Sequence, residues 1–265
     1  MPLRCAYTDL DGTLLGRGAS LFHDGDGQFT LLGARALEAC SRAEVEVVPY
    51  SGQRQATLLH DTRMLGLETY IFEAGCGLVL DGELEWLTDG LEPRDGKTIH
   101  DQIEESGAPA LLLEHYAGRL EVYAPWRHAR EVSLLFLGED IASEEADALL
   151  AEAGHGELRL VDNGIMHGAN GTGRAYHLIP REASKARAVA RHMQARGYAP
   201  EEVIAVGDSR EDLGAAAVVG AFWLVANATA EVRAAACRLA NVRIAEASHG
   251  AGVYEALITE LAERR

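Results

Sequence analysis

The chain has 265 residues, of which 48% are hydrophobic, so it is long enough to bury a sizeable core without disulfides to hold it together. Its 41 acidic and 24 basic side chains give a formal net charge of −17, which argues against nucleic acid or a membrane as a partner. An anionic small-molecule substrate would have to be bound by a local device such as a metal ion, a lysine or a helix N-terminus.

The four cysteines show no CxxC spacing and are typical of buried free thiols in a reducing compartment. No apolar run approaches the roughly 18 residues of a membrane span, and the sequence enters its first strand without a cleavable leader. We therefore expect a cytoplasmic protein that acts as a monomer or homodimer.

Short apolar runs alternate with helical stretches in the early and late parts of the chain, which predicts an α/β fold with a Rossmann-like, doubly wound parallel sheet. The predicted strands are "LRCAYTDL", "VEVVPYS", "YIFEAG", "VIAVGDS", "AFWLVANA" and "NVRIAE". The predicted helices cover 31–43, 53–66, 184–197, 209–219 and 229–239. Polar residues follow several of these strands, and open α/β sheets place their sites at those strand ends.

The middle of the chain has a different pattern, with Gly-rich breaks, the strand candidates "LEVYAP" and "EVSLLFL", a helix near 143–154 and a closing strand "GRAYHLIP". This pattern predicts a small α/β lobe over 83–180, inserted between core segments 1–82 and 181–265.

The stretch "AYTDLDGTLL" places Asp9 and Asp11 at the end of a buried strand. The sixth position counted from Asp9 is Leu14, where an EF-hand loop needs glycine, and neither a Walker string nor an Asp-Thr/Ser-Gly loop is present. Two close carboxylates repel, and a divalent cation relieves that repulsion. A Mg²⁺ site and a solvated acidic turn both fit this stretch taken alone.

A second strand, "VIAVGDSRED", also ends in acidic residues: Asp208, Glu211 and Asp212. Asp208 is placed like Asp9, so two parallel strands can hold carboxylates against one cation. Acidic residues after a strand are also common helix N-caps, but capping alone does not explain both strands.

Two further elements can bind an anion. Ser51 and Gly52 in "YSGQR" lie between a strand and a helix, where a hydroxyl and exposed N–H groups can hold phosphate, although a serine there can also be a plain N-cap. Lys185 lies in the first turn of a helix, an unfavourable place for a cation unless an anion is near. Such a set of groups suits phosphoryl transfer.

At this point the sequence resembles the haloacid dehalogenase-like phosphohydrolases, whose four motifs match "DLDGTLL", "YSGQR", Lys185 and "GDSRED" in order. The resemblance implies that Asp9 is the nucleophile, forming an aspartyl-phosphate, and that Asp11 is the general acid and then the base. It also implies that Asp9, the Asp11 carbonyl and Asp208 hold Mg²⁺, with Asp212 just outside these ligands. Ser51, Gly52 and Lys185 would bind the phosphate.

The insert is similar to the type IIB cap of the Cof-type members, especially the group of mannosyl-3-phosphoglycerate and sucrose-phosphate phosphatases. The matching segments are "FEAGCG", "AREVSLLFL" and "GTGRAYHLIPREASKARAV". Three residues depart from the family pattern: Glu211 replaces the usual asparagine of motif four, Ala74 replaces the asparagine of a Glu-Asn-Gly turn, and Ala186 replaces a glycine. Glu211 would add negative charge beside the metal, or bind it.

Five side chains are candidates for contacting the substrate's leaving group, although each can also be a solvated or capping residue. They are Arg54, Arg130, Ser133, Arg174 and His177. The sequence thus predicts a Mg²⁺-dependent phosphatase of a sugar phosphate or a mannosyl-3-phosphoglycerate-like compound. The alternatives are a phosphomutase of the same superfamily and a non-catalytic phosphometabolite sensor.

Overall fold

A computed structural model describes residues 1–123, 130–168 and 171–264, with the side chains of 166–168, 171 and 172 left out. The strands in these ranges are β1 Cys5–Thr8, β2 Glu46–Pro49, β3 Tyr70–Phe72, β4 Gly77–Leu80, β5 Glu83–Trp86, β6 Leu120–Val122, β7 Leu134–Gly138, β8 Leu158–Gly168, β9 Gly171–Pro180, β10 Val203–Gly207, β11 Ala221–Leu224 and β12 Val242–Ile244. The helices are α1 Leu32–Arg42, α2 Gln55–Leu65, α3 Ile99–Glu105, α4 Ala108–His115, α5 Ser143–Glu152, α6 Lys185–Arg196, α7 Arg210–Leu213, α8 Ala230–Ala236 and α9 His249–Glu263.

The centre of the fold is a five-stranded parallel sheet with the strand order β12-β11-β10-β1-β2. Thr8, at the end of β1, lies beside Val206 of β10 and Pro49 of β2. The residues that follow these three strands therefore meet at one edge of the sheet. This register is what can bring motifs far apart in the sequence to a single crevice.

Alternation of side chains along each strand covers both faces of this sheet with apolar residues. Ala6 and Ile204 belong to the cluster that includes residues of α1 and α9, whereas Tyr7 and Ala205 belong to the cluster with α6 and α8. Burial on both faces explains why these strands are continuous apolar runs in the sequence. The predicted doubly wound α/β fold is confirmed.

A second unit follows β2 and differs from the sequence prediction. The segment "YIFEAG" was expected to join the parallel sheet, but β3 forms an antiparallel meander with β4 and β5. Its link to the main sheet is an isolated parallel bridge between Ile71 and Tyr50. The predicted core boundary after residue 82 falls in the turn between β4 and β5.

The third unit is a four-stranded antiparallel sheet in the order β6-β7-β9-β8, packed against α3, α4 and α5 around its own apolar cluster. Sequence patterns predicted β6, β7, α5 and β9 but missed β8, α3 and α4. The division into core segments and cap over 83–180 stays a prediction. Within the described ranges, no helix is both long and apolar enough to cross a membrane.

Candidate active site

Asp9 and Asp208 follow neighbouring strands, directly after β1 and β10 respectively. The Asp9 N–H donates to the Val206 carbonyl at 3.0 Å, which continues the pairing of these strands by one more residue. Asp9 is buried, with 5% of its surface exposed. The sheet register thus places two carboxylates side by side at its carboxyl edge.

Lys185 reaches this edge from the first residue of α6, where the Ser184 hydroxyl caps the helix by accepting from the Arg187 N–H at 3.1 Å. The Lys185 Nζ donates to Asp9 Oδ1 at 2.8 Å and to Asp212 Oδ1 at 2.5 Å. It also lies 4.8 Å from the centre of the Tyr50 ring. Burial opposes the charged form of Lys185, but the Asp212 and Asp9 carboxylates outweigh it and raise its pKa above the usual value. The side chain is therefore a fixed cation.

The choice of lysine at this position is informative because Lys97 and Lys185 are the two lysines of the whole chain. Arginine supplies the other basic side chains, yet a compact ammonium occupies the buried position between two carboxylates. A planar guanidinium needs more room and binds a carboxylate through a fork, whereas an ammonium acts as a point charge.

Several hydrogen-bond donors hold the Asp212 carboxylate in place. Its Oδ2 accepts from the Ser209 hydroxyl at 2.6 Å, the Ser209 N–H at 2.9 Å and the Asp208 N–H at 3.2 Å. Because Lys185 occupies its other oxygen, Asp212 is suited to orient its neighbours rather than to bind a metal directly. Its place just outside the metal ligands stays a prediction.

Oxygens of Asp9, Asp208 and Asp212 lie within 4.8 Å of one another. Asp9 and Asp212 are buried and Asp208 is partly buried, and within the described residues they share the single Lys185 ammonium, so one positive charge faces up to three negative ones. Burial, followed by the charge of Asp212, raises the pKa of Asp208 to about 7 in the metal-free protein. A hard divalent cation with oxygen ligands fits both the donor set and the charge deficit, as Mg²⁺ does.

Gly12 sets the distance between the first motif and Asp208. It has a φ of +83°, and a Cβ at this position would lie 2.9 Å from Asp208 Oδ2. Thr13 follows it and donates its hydroxyl to Asp208 Oδ1 at 3.0 Å. The turn after Asp11 therefore needs a residue without a side chain, both for its backbone conformation and for close approach to Asp208.

We expect Gly12→Ala to lose about 1–2 kcal/mol of stability because an L-residue is strained at this φ. Displacement of Asp208 should also weaken the binding of a divalent cation such as Mg²⁺ at these carboxylates by at least about tenfold, as measured by titration calorimetry. Gly82→Ala is the matched control, since Gly82 has the same φ of +83° and an added methyl group there would meet no atom within 4 Å. Equal metal affinity in the two variants would contradict this role of Gly12.

Asp11 and Ser51 meet through Gln53. The Gln53 side chain donates from Nε2 to Asp11 Oδ2 at 2.8 Å, and its backbone N–H donates to the Ser51 hydroxyl at 3.1 Å. Ser51 is buried, whereas Asp11 is exposed at the mouth of the crevice. Helix α2 begins at Gln55, with Arg54 as its N-cap, so Ser51 is not a capping residue. The turn 51–53 connects the second motif to the first.

Arg130, Ser133 and His177 form a buried cluster against this turn. Arg130 Nη1 donates to the Ser133 hydroxyl at 2.7 Å and to the Gly52 carbonyl at 3.3 Å. His177 Nδ1 lies 3.2 Å from the Ser133 hydroxyl oxygen. Burial, with the nearby charges of Arg130 and Lys185, lowers the pKa of His177 well below its usual value, so the ring is neutral.

Glu73 anchors the same cluster and is completely buried. Its carboxylate accepts backbone N–H groups from Glu131 at 2.8 Å, Val132 at 3.1 Å and Ser133 at 2.5 Å, and it lies 3.9 Å from Arg130. Glu73, which lies between β3 and β4, thus fixes the segment that carries Arg130 and Ser133 against the turn 51–53.

The remaining predicted site residues have other partners. Arg174 pairs with Asp162 within the β8–β9 hairpin, and Arg54 Nε donates to the Thr57 hydroxyl at 2.9 Å. Glu211 accepts from Arg159 at 3.0 Å and from the Lys185 N–H at 3.1 Å. The charge that Glu211 was expected to add beside the metal is therefore offset by Arg159.

Sequence reasoning did not single out several side chains that shape the site: Tyr50, Gln53, Glu73, Arg159 and Asn163. Asn163, in β8, lies so close to the turn that a Cβ on Gly52 would be 2.5 Å from its Nδ2. Tyr50, Gln53 and Glu73 lie within or beside the segments that the sequence analysis quoted, so their positions could have indicated a role. Asn163 and Arg159 offered no such signal, because the strand that carries them was not predicted.

A model of the haloacid dehalogenase-like hydrolase family matches residues 157–257 of this chain. The chain is 30% identical over 229 residues to a protein named phosphoglycolate phosphatase from Halorubrum lacusprofundi, a match that covers 86% of each chain. It is 25% identical over 247 residues to a protein of the same name from Methanopyrus kandleri, covering 93% of this chain and 92% of that one.

Solved structures show the same fold. The sucrose-phosphatase of Synechocystis sp., crystallised with sucrose and phosphate, superposes with a TM-score of 0.69 at 17% identity and covers 98% of both chains. The superposition extends over nearly the whole chain, so the likeness includes the inserted sheet as well as the parallel one.

Proposed function

Since this chain belongs to the haloacid dehalogenase-like hydrolases, we propose that it is a Mg²⁺-dependent phosphatase that hydrolyses a small phosphate monoester through Asp9. The observation that carries this proposal is the pairing of Asp9 with Lys185 beside Asp208. It supplies a nucleophile, a fixed cation and a place for a divalent ion at one strand edge. Such an arrangement neutralises charge on a transferred phosphoryl group.

In the first step, an Asp9 carboxylate oxygen attacks phosphorus and the ester P–O bond breaks. Lys185 holds Asp9 Oδ1, so the other oxygen is left for attack, and a phosphoryl group in line with that oxygen would lie close to the ammonium. Asp11, in its acid form, donates a proton to the leaving oxygen. Gln53 orients Asp11 through its hydrogen bond to Oδ2.

In the second step, Asp11 takes a proton from water while the water oxygen attacks phosphorus. The Asp9–phosphorus bond breaks, which releases inorganic phosphate and restores the carboxylate. The Ser51 hydroxyl and the Gly52 N–H would bind the phosphoryl oxygens, since the N–H groups of Ser51 and Gln53 already donate to the Ile71 carbonyl and the Ser51 hydroxyl. A bound Mg²⁺, held by Asp9, Asp208 and the Asp11 carbonyl, would supply positive charge that offsets the carboxylates and the phosphoryl group.

For the leaving group we favour a small carboxylic acid, as in phosphoglycolate or a glycosyl 3-phosphoglycerate, with a sugar phosphate as the second candidate. The two sequence relatives are named for phosphoglycolate, whereas the likeness to sucrose-phosphatase is one of fold. Arg130 lies at the turn 51–53 and places a guanidinium beside the proposed phosphate site.

The test is phosphate release by the purified protein with Mg²⁺ from phosphoglycolate, mannosyl-3-phosphoglycerate, sucrose 6-phosphate and a generic aryl phosphate. We expect the highest kcat/KM for one of the two carboxylate-bearing esters. A preference for the sucrose ester would overturn the substrate assignment, and an isomerised product without phosphate release would indicate a mutase. Tight binding of an ester without turnover would indicate a sensor.

Removal of the metal should abolish turnover. After treatment with a chelator, we expect activity to return on addition of Mg²⁺ but not of Ca²⁺, because Ca²⁺ prefers more ligands at longer distances than a compact octahedral site offers. Thermal melting measured in parallel checks that the metal-free protein is folded. Full activity of the chelated protein would contradict the metal dependence.

A further inference from the structure

A second group of metal-binding side chains lies at the opposite end of the parallel sheet. Cys5 begins β1, Glu46 begins β2 and pairs with Cys5 in register, and His192 projects from α6. Their ligand atoms lie within 4.8 Å of one another. Asp9 is four residues beyond Cys5 along an extended strand, about 13 Å away, so this group is separate from the catalytic edge.

The His192 ring is the independent observation that points to a ligand. The residue is fully buried, and Nε2 faces Glu46 Oε1 at 3.5 Å, an ion-pair distance at which no well-formed hydrogen bond to a described residue satisfies this nitrogen. The other ring nitrogen, Nδ1, is 2.6 Å from the Tyr7 hydroxyl oxygen, which can in turn donate to the Val189 carbonyl at 3.4 Å. A metal-binding histidine is commonly held in this way, by donating from its other nitrogen.

We propose that Cys5, Glu46 and His192 form a Zn²⁺ site, with His192 binding through Nε2 and water as the fourth ligand. The thiolate, imidazole and carboxylate donors suit Zn²⁺ and not Mg²⁺, which prefers oxygen ligands alone. Three protein ligands and one water complete a tetrahedral zinc centre.

The charges around the site are consistent with a divalent ion. The Glu46 carboxylate accepts hydrogen bonds from Arg196 at 3.2 Å and from the Tyr198 hydroxyl at 2.8 Å, so these groups already offset part of its negative charge. Arg196 is itself bound by both Asp81 oxygens, at 2.7 and 2.8 Å. Together the Cys5 thiolate, Glu46 and Asp81 balance Arg196 and one Zn²⁺.

Binding requires a proton to leave and a small contraction of the site. Burial, with the Glu46 charge, raises the pKa of the Cys5 thiol well above its usual value, so Zn²⁺ must displace the thiol proton to solvent. Ligand atoms around tetrahedral zinc lie about 3.3–3.8 Å from one another. The ligand atoms of Cys5, Glu46 and His192 lie within 4.8 Å of one another, so they must move closer together when the ion binds. The Glu46 side chain is 23% exposed, which gives an ion access from solvent on that side, and contraction requires Glu46 to shift within its contacts to Arg196 and Tyr198.

This site would join β1 and β2 to α6, the helix that carries Lys185 two turns before His192. The ion would therefore stabilise the position of α6 on the sheet without taking part in phosphoryl transfer. Its presence does not depend on the proposed function, since none of its three ligands belongs to the catalytic edge.

The test uses the full chain, stripped of metal and loaded with Co²⁺, which gives a near-ultraviolet thiolate-to-cobalt band only when sulfur is a ligand. We expect the band in the native protein, in the Cys237→Ser control, whose thiol is exposed, and in Asp208→Asn, where the oxygen site is damaged. It should be absent in Cys5→Ser. No band in the native protein, or a band that persists in Cys5→Ser, would overturn the assignment.

Zn²⁺ affinity, measured by competition with a chromophoric chelator, provides a readout that does not depend on Cys5 alone. We expect His192→Gln to bind at least about 100-fold more weakly, and Tyr7→Phe about 10- to 100-fold more weakly because it removes the hydrogen bond to Nδ1. Zn²⁺ should also raise the melting temperature of the native protein but not of His192→Gln. Unchanged affinity in His192→Gln would contradict the site.

Discussion

Replacement of Asp9 by Asn is expected to reduce phosphate release by at least about 10³-fold, because an amide oxygen cannot act as the attacking nucleophile. Folding should be retained. Asp9 is buried among carboxylates and burial raises its pKa, so loss of its charge relieves repulsion, and Lys185 keeps its bond to Asp212. Steady-state kinetics with Mg²⁺, together with urea denaturation, measure both quantities.

Asp89→Asn is the control for this substitution. It makes the same chemical change at an exposed carboxylate, 4.0 Å from Arg187 and away from the strand edge, and it should leave kcat and stability unchanged. If Asp9→Asn kept full activity, Asp9 would not be the nucleophile and the proposed function would fail. The zinc proposal would be unaffected, because its readouts do not use turnover.

Lys185→Met should have the largest effect on stability. Removal of one partner from a buried ion pair costs about 3–5 kcal/mol, and here the 1% exposed ammonium serves both Asp9 and Asp212. Activity should fall as well, since the proposed phosphate site loses its cation. Urea denaturation in the presence of a chelator measures the cost without a bound metal.

The loss of stability in Lys185→Met depends on pH, and the direction of that dependence follows from the carboxyl groups that Lys185 contacts. Without the ammonium, the folded-state pKa of Asp9, which burial already raises, rises further above its unfolded value, so the variant loses stability as pH rises through that folded value. The difference from the native protein should therefore shrink on acidification towards pH 5. Mg²⁺ should restore part of the stability at neutral pH by replacing the lost positive charge.

Lys97→Met is the matched control, since it removes the chain's other lysine from an exposed pair with Glu105 at 2.6 Å. Exposed ion pairs contribute little, so we expect a change within about 0.5 kcal/mol. A Lys185→Met variant as stable as Lys97→Met would mean that the buried carboxylates are uncharged in the native protein.

Some differences between the predicted and observed elements have local physical reasons. The strand β8 was missed because "VDNG" in its middle is typical of a turn, and the structure does have an irregularity there, between Asp162 and Ile165. The predicted helix over 209–219 is the short α7 followed by a 3₁₀ turn at Gly214–Ala217. The Gly-Ala composition of that turn did not reveal the change of helix type.

Other differences arise because strand pairing is non-local. An apolar run such as "YIF" shows that a strand is buried but does not identify its neighbours. The sequence therefore could not distinguish membership of the parallel sheet from the antiparallel β3–β4–β5 unit. In the same way, Cys5, Glu46 and His192 carry no motif spacing, and only the register of β1 with β2 and the docking of α6 bring them together.

The sequence by itself determined the α/β alternation, the acidic strand ends at Asp9 and Asp208, and the family to which the chain belongs, because these depend on residue type and order along the chain. Tertiary structure decided which charges are compensated. It pairs Lys185 with Asp9 from 176 residues away and Glu211 with Arg159 from 52 residues away. Those distances depend on strand order and helix packing, which follow from burial of the whole core and not from any local pattern.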